Sequence, residues 1–201
     1  MRVRDMSQPS SNEPATAGAL WFVVLMLGLI GLSLVAVTGP MSALLGSGAE
    51  VVHGAVHGTV AGLFMVTSTI GLFQAYRIFS GKVWDLAELQ IGSVINAGMA
   101  LLTILSGNWI YIPYRAPEGP RSYFLQTSPE VHQVFFEFKE FAALFTFPLA
   151  VTAAYLLIRY GEGLYRRRGL STVISALLVL TFFYFLVAFG LGAAVTKLKS
   201  V

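Results

Sequence analysis

The chain has 201 residues, 56% of them hydrophobic and 11% charged, with a net charge of +3 and a mean hydropathy of +0.72. A water-soluble domain carries about 25% charged residues, so this composition excludes a surface that mostly faces water. The basic residues fall between apolar runs rather than in a groove-sized patch, which excludes a nucleic-acid partner, and the lack of cysteine excludes disulfides, thiolate metal sites, iron–sulfur clusters and C-x-x-C-H haem attachment.

Residues 1–16 are polar and rich in Ser and Pro, and they read as a disordered cytoplasmic tail. Residues 17–201 read as a single transmembrane domain, an all-α integral membrane bundle of five helices. The first apolar run, 17–38, follows Arg2 and Arg4. It is too long for the core of a signal peptide, and Thr38-Gly39-Pro40 is a poor cleavage site, so it reads as a helix that stays. The second run, 51–76, opens with Ser47 and Glu50 at capping-box spacing. The third, 89–112, is expected to stop before Pro113. The fourth, 129–159, starts with Ser128 as N-cap and Pro129 as first helical residue. The fifth, 170–195, holds no formal charge. Each run exceeds the roughly 20 residues that span a bilayer core.

Lys and Arg set the orientation. Arg2, Arg4, Arg77, Lys82, Arg159 and Arg166–Arg168 fall on one side, against Arg115, Arg121, Lys197 and Lys199 on the other. The positive-inside rule then predicts a multi-pass protein of the inner (plasma) membrane with a cytoplasmic N-terminus. The connection from Tyr114 to Ser128, with its prolines and aromatics, is expected to be an ordered outer loop across the bundle mouth.

Chemistry-bearing residues gather toward the outer helix ends. The three histidines all lie there. His53 and His57 share one face of the second helix, and His132 sits one turn into the fourth. An ionisable side chain in a spanning segment is costly and is a functional candidate by default. Gly54, Gly58 and Gly62 repeat every four residues beside the two histidines. Such a stripe either packs helices closely or lets a flat macrocycle approach the backbone. On the fourth helix, Glu137, Lys139 and Glu140 interrupt a phenylalanine run, with Lys139 on the same stripe as His132, Phe136 and Ala143. They read either as an ion pair with a snorkelling carboxylate or as a proton path or polar pocket. Trp109 and its tyrosine neighbours read as interfacial anchors or as a quinone headgroup pocket. Asn96, mid-helix, reads as an interhelical hydrogen-bonding residue. No G-x-S-x-G, H-E-x-x-H, Walker A or G-x-G-x-x-G motif occurs.

Histidines near matching ends of different helices, beside glycines and aromatics, resemble the b-type membrane cytochromes, in particular the cytochrome b561-like bundles. The resemblance covers the second to fourth helices. Three histidines on one side allow at most one bis-histidine haem. The resemblance implies haem b bound by His57 and His132, with His53 as the alternative ligand or a propionate partner, and Gly54 and Gly58 flanking. It implies an electron-transfer protein, or the haem-bearing oxidoreductase subunit of a respiratory or photosynthetic membrane complex, passing electrons from quinol to an outer-side acceptor. Glu140, Lys139, Glu137 and Trp109 are the candidates for protons or quinone. Two other readings stand beside it: a cofactor-free structural subunit among other membrane subunits, and a copper or zinc site built from the three histidines.

Overall fold

The computed structural model describes residues 49–83, 85–164 and 166–198, and the expected first span, the tail before it and Ser47 lie outside them. The described residues are helical, with no strand. Helix α1 covers Ala49–Phe79, α2 Leu86–Tyr114, the short α3 Pro120–Thr127, α4 Glu137–Tyr160 and α5 Arg168–Leu198. A π-helical segment, Val131–Phe136, leads straight into α4. Four stretches are long and apolar enough to cross a membrane: Val52–Phe79, Leu86–Tyr114, Val131–Gly163 and Arg168–Leu198. They correspond to the second to fifth apolar runs.

Local chemistry sets the ends. Gly81 takes φ +68° in the turn after α1, a conformation that glycine adopts without a Cβ clash. Asp85 then caps α2, its carboxylate accepting from the Ala87 N–H at 2.8 Å and the Glu88 N–H at 3.4 Å. Across the same turn Arg77 Nη1 meets Glu88 Oε1 at 2.8 Å. The other end of α2 differs from expectation, since the helix passes through Pro113 to Tyr114. Proline's φ suits a helix, and so close to the terminus its missing N–H removes just one ladder bond.

Helix α1 packs against α2 and α5, and α4 packs against the same two. That leaves α1 and α4 facing each other across the diagonal of a four-helix ring. Small residues at the seams allow the close approach that drives helix association in lipid. Ala75, Ala100, Ala150 and Ala153 are all at most 1% exposed. Hydrogen bonds to backbone also cross between helices, from Ser175 Oγ to the Ala75 carbonyl at 3.0 Å and from Gln90 Nε2 to the Leu157 carbonyl at 3.1 Å. Outward faces stay apolar. Leu63, Val66, Ile70 and Phe73 on α1 and Phe138, Phe141 and Leu144 on α4 are each at least half exposed within the described residues. Much of the phenylalanine run of α4 is therefore an outer face.

The ordered connection after α2 is α3, with Pro120 at its first turn. Its Phe124 is buried with Tyr114, Phe136 and Val195, closing one end of the bundle.

Candidate functional site

Just inside that closed end lies a cavity of about 540 Å³. Ligand sites typically range over about 300–1,000 Å³. Helix α1 contributes Gly54, His57, Gly58 and Ala61, and α4 faces them with Phe136, Lys139, Glu140 and Ala143. Helix α2 adds Thr103, Gly107, Tyr111 and Tyr114, and α5 adds Phe185, Phe189, Gly192 and Lys197. Most of the wall is apolar or aromatic, with a few polar groups aimed inward.

His57 is held in one orientation by α2. Its Nδ1 lies 3.0 Å from Ser106 Oγ, and Ser106 gives its own proton to the Thr103 carbonyl at 3.1 Å. A hydroxyl has one proton to give, so when Ser106 gives it to Thr103, Nδ1–H donates to Ser106 and the lone pair sits on Nε2. That is how a metal-ligating imidazole is oriented by its second partner. Gly107 leaves room for the ring: a Cβ there would lie 3.2 Å from His57 Cε1. Sequence reasoning does not single out Ser106 and Gly107, which directly precede the Trp109 stretch read as interfacial. Their role depends on which face of α2 meets α1.

Gly54 and Gly58 face open space. A Cβ added at either would meet no atom within 4 Å among the described residues. No described helix packs closely on them, and their bare backbone forms part of the cavity wall.

His132 is placed differently from the expected ligand. It is 3% exposed and is not among the residues lining the cavity. Its Nε2 accepts from Arg121 Nε at 3.1 Å, and its Nδ1 meets the Tyr114 hydroxyl at 2.9 Å. Both ring nitrogens are engaged. Tyr114 and Phe136, stacked at 4.2 Å, both touch the His132 ring and both line the cavity, so the histidine stands behind them. The π segment contributes to this placement. A π turn rotates through fewer degrees per residue than an α turn, so His132 leaves the stripe that an unbroken α-helix would share with Lys139.

The remaining candidates separate cleanly. His53 does not line the cavity, and its two ring nitrogens are buried without a hydrogen-bond partner among the described residues. No three His, Asp or Glu side chains among the described residues converge as metal ligands, so the three-histidine copper or zinc arrangement is not assembled. Trp109 and Glu137 lie off the cavity wall. Asn96, expected to bond between helices, is 1% exposed with no partner for either amide atom among the described residues. Lys139 and Glu140 do line the cavity. Lys139 Nζ lies 4.7 Å from the Phe136 ring centroid. Tyr111 lines the cavity too, and its hydroxyl accepts from Arg115.

Comparison with known protein families, curated proteins and solved structures finds no match to this chain. Fold and site together define a class: among the described residues, an all-helical bundle with four helices able to cross a membrane and a ligand-sized cavity near one end.

Proposed function

We propose that this chain is a multi-pass membrane electron-transfer protein whose cavity would hold haem b, with His57 Nε2 as the group that would bind its iron. The observation that carries the reading is the His57 imidazole, fixed at Nδ1 by Ser106 beside a bare glycine wall. The fit is partial in one respect, because His132 would have to give up Arg121 before it could bind a metal. Haem b supplies one-electron redox chemistry when bound. The chain's own residues do the rest. Ser106 fixes the imidazole tautomer, Gly54 and Gly58 let a flat ring reach the backbone, and Tyr111, Phe136 and Phe189 exclude water. Lys197, which lines the cavity, would supply positive charge for an anionic group held there.

In this reading the described helices and the 17–38 run form a bundle of five spans in the inner (plasma) membrane. Its N-terminus is cytoplasmic and the α3 loop lies outside, by the Lys/Arg asymmetry. The chain would pass electrons between quinol and an outer-side acceptor, alone or as a subunit of a larger respiratory or photosynthetic complex. The test is the haem content and the oxidised and dithionite-reduced spectra of the purified protein. A low-spin haem b signature that His57→Ala abolishes is expected. A featureless spectrum would favour the cofactor-free structural subunit.

A further inference from the structure

We propose that α3 is a lid over the cavity and that His132 is its pH-sensitive latch, released when the imidazole takes up a proton. The inference goes beyond the haem reading and holds whatever the cavity binds. It begins with where α3 sits. The buried residue of α3 is Phe124, and it packs with Tyr114, Phe136 and Val195. All three of those partners line the cavity, so α3 bears directly on the outer side of the cavity wall. A helix of eight residues is marginal by itself in water, so its place depends on what ties it down. Arg121, one turn before Phe124, supplies a polar tie, its Nε donating to His132 Nε2 at 3.1 Å. Tyr114 completes the chain, since its hydroxyl lies 2.9 Å from Nδ1 of the same ring. One histidine therefore joins α3 to a residue of the wall itself.

The arginine fixes the charge of the latch. A guanidinium Nε carries a hydrogen and does not lose it in a protein, so it can only donate. His132 Nε2 must then present its lone pair. That leaves the ring neutral, with its hydrogen on Nδ1 and given to the Tyr114 oxygen. A proton added at Nε2 removes the acceptor and sets the N–H groups of two cations against each other. Arg121 is partly exposed, so the proton arrives from the loop side. The groups that face His132 do not undo this. Helix α2 brings the Tyr114 hydroxyl and Arg115, α3 brings Arg121, and the first turn of α4 brings Glu137. Helix α5 meets the same cluster with Val195, which is uncharged. Glu137 is the one carboxylate in that set, and it stands against two arginines.

The experiment uses the full-length, cysteine-free protein purified in detergent, carrying Ala143→Cys as a single reporter on the cavity wall. Its rate of reaction with a water-soluble maleimide is divided by that of Glu118→Cys, at an exposed position, which cancels the thiol's own pH dependence. Imidazole titrates between about pH 8 and about pH 5. Over that span the ratio should rise by roughly tenfold or more, the size of one lost hydrogen bond to a charged group. His132→Gln keeps an acceptor for Arg121 and does not titrate, so its ratio should stay low at both values. Arg121→Ala should be fast at both. A flat ratio in the reporter protein would overturn the proposal, whether low throughout or already high at the alkaline end, where the cavity would be open by another route. A pH response that survives in His132→Gln would also overturn it and give the switch to Glu137. So would a rise that comes with loss of helicity by circular dichroism, because that is unfolding and not the opening of a lid.

Discussion

Substitution of the cavity-wall glycines separates an open ligand wall from a helix-packing seam. At Gly54 and Gly58 an added Cβ meets no described atom within 4 Å, so alanine has no steric cost there. It also restricts the unfolded chain and improves helix propensity by about 0.5–1 kcal/mol. For a chain of this size that corresponds to a rise of roughly 1–4 °C in Tm. Gly107 behaves oppositely, because its Cβ would come within 3.2 Å of His57 Cε1 and 3.6 Å of Nδ1. The ring must give by a few tenths of an ångström, straining a hydrogen bond worth about 1 kcal/mol and misaligning the imidazole. Gly107→Ala is therefore expected to weaken ligand retention, and Gly58→Leu to expel ligand by filling the wall while the helices stay intact. Thermal melts by circular dichroism in detergent, with bound ligand measured in parallel, read both effects. A fall of several degrees for Gly54→Ala and Gly58→Ala in the ligand-free protein would refute the reasoning, because it would show these positions packed against another helix.

Glu140→Leu is expected to reduce ligand occupancy or assembly, whereas Glu130→Leu, at an exposed position, should change stability by no more than about 0.5 kcal/mol. Equal behaviour of the two in expression and haem content would remove Glu140 from the site. Arg121→Ala and Tyr114→Phe each delete a partner of His132 and should each cost about 1 kcal/mol. Combined with His132→Ala in double-mutant cycles they should be non-additive, and simple additivity would mean the network contributes nothing. For topology, a cysteine at exposed Glu118 should react with an impermeant thiol reagent from the outside only. Position 119 is a poor choice, since a Cβ there would meet the Pro113 and Tyr114 carbonyls. Labelling of position 118 from the cytoplasmic side alone would reverse the orientation.

Four of the spans could be read from sequence because bilayer thickness imposes one length on every crossing helix. Their ends were readable to within a few residues, as at α2, where a terminal proline proved tolerable. His57, Gly54 and Gly58 could be placed on one face by spacing alone, and so could Phe136, Lys139 and Ala143; all six line the cavity. What spacing could not supply was tertiary partnership. Nothing local marks Ser106 as the partner of His57 or Arg121 as the partner of His132. The π segment has no sequence signature, and it alters the register that a helical wheel assumes. The phenylalanines of α4 carried a second ambiguity, since an aromatic run serves a pocket wall and a lipid face equally well until the neighbouring helices are in place.

The central claim is that His57 holds a redox-active haem in this cavity. Reduced-minus-oxidised difference spectra of the purified wild type and the His57→Ala protein, normalised to protein, test it most directly. The account predicts a low-spin haem b difference spectrum in wild type and its loss in His57→Ala, with helicity unchanged. The same spectrum in both proteins, or none in wild type, would contradict it.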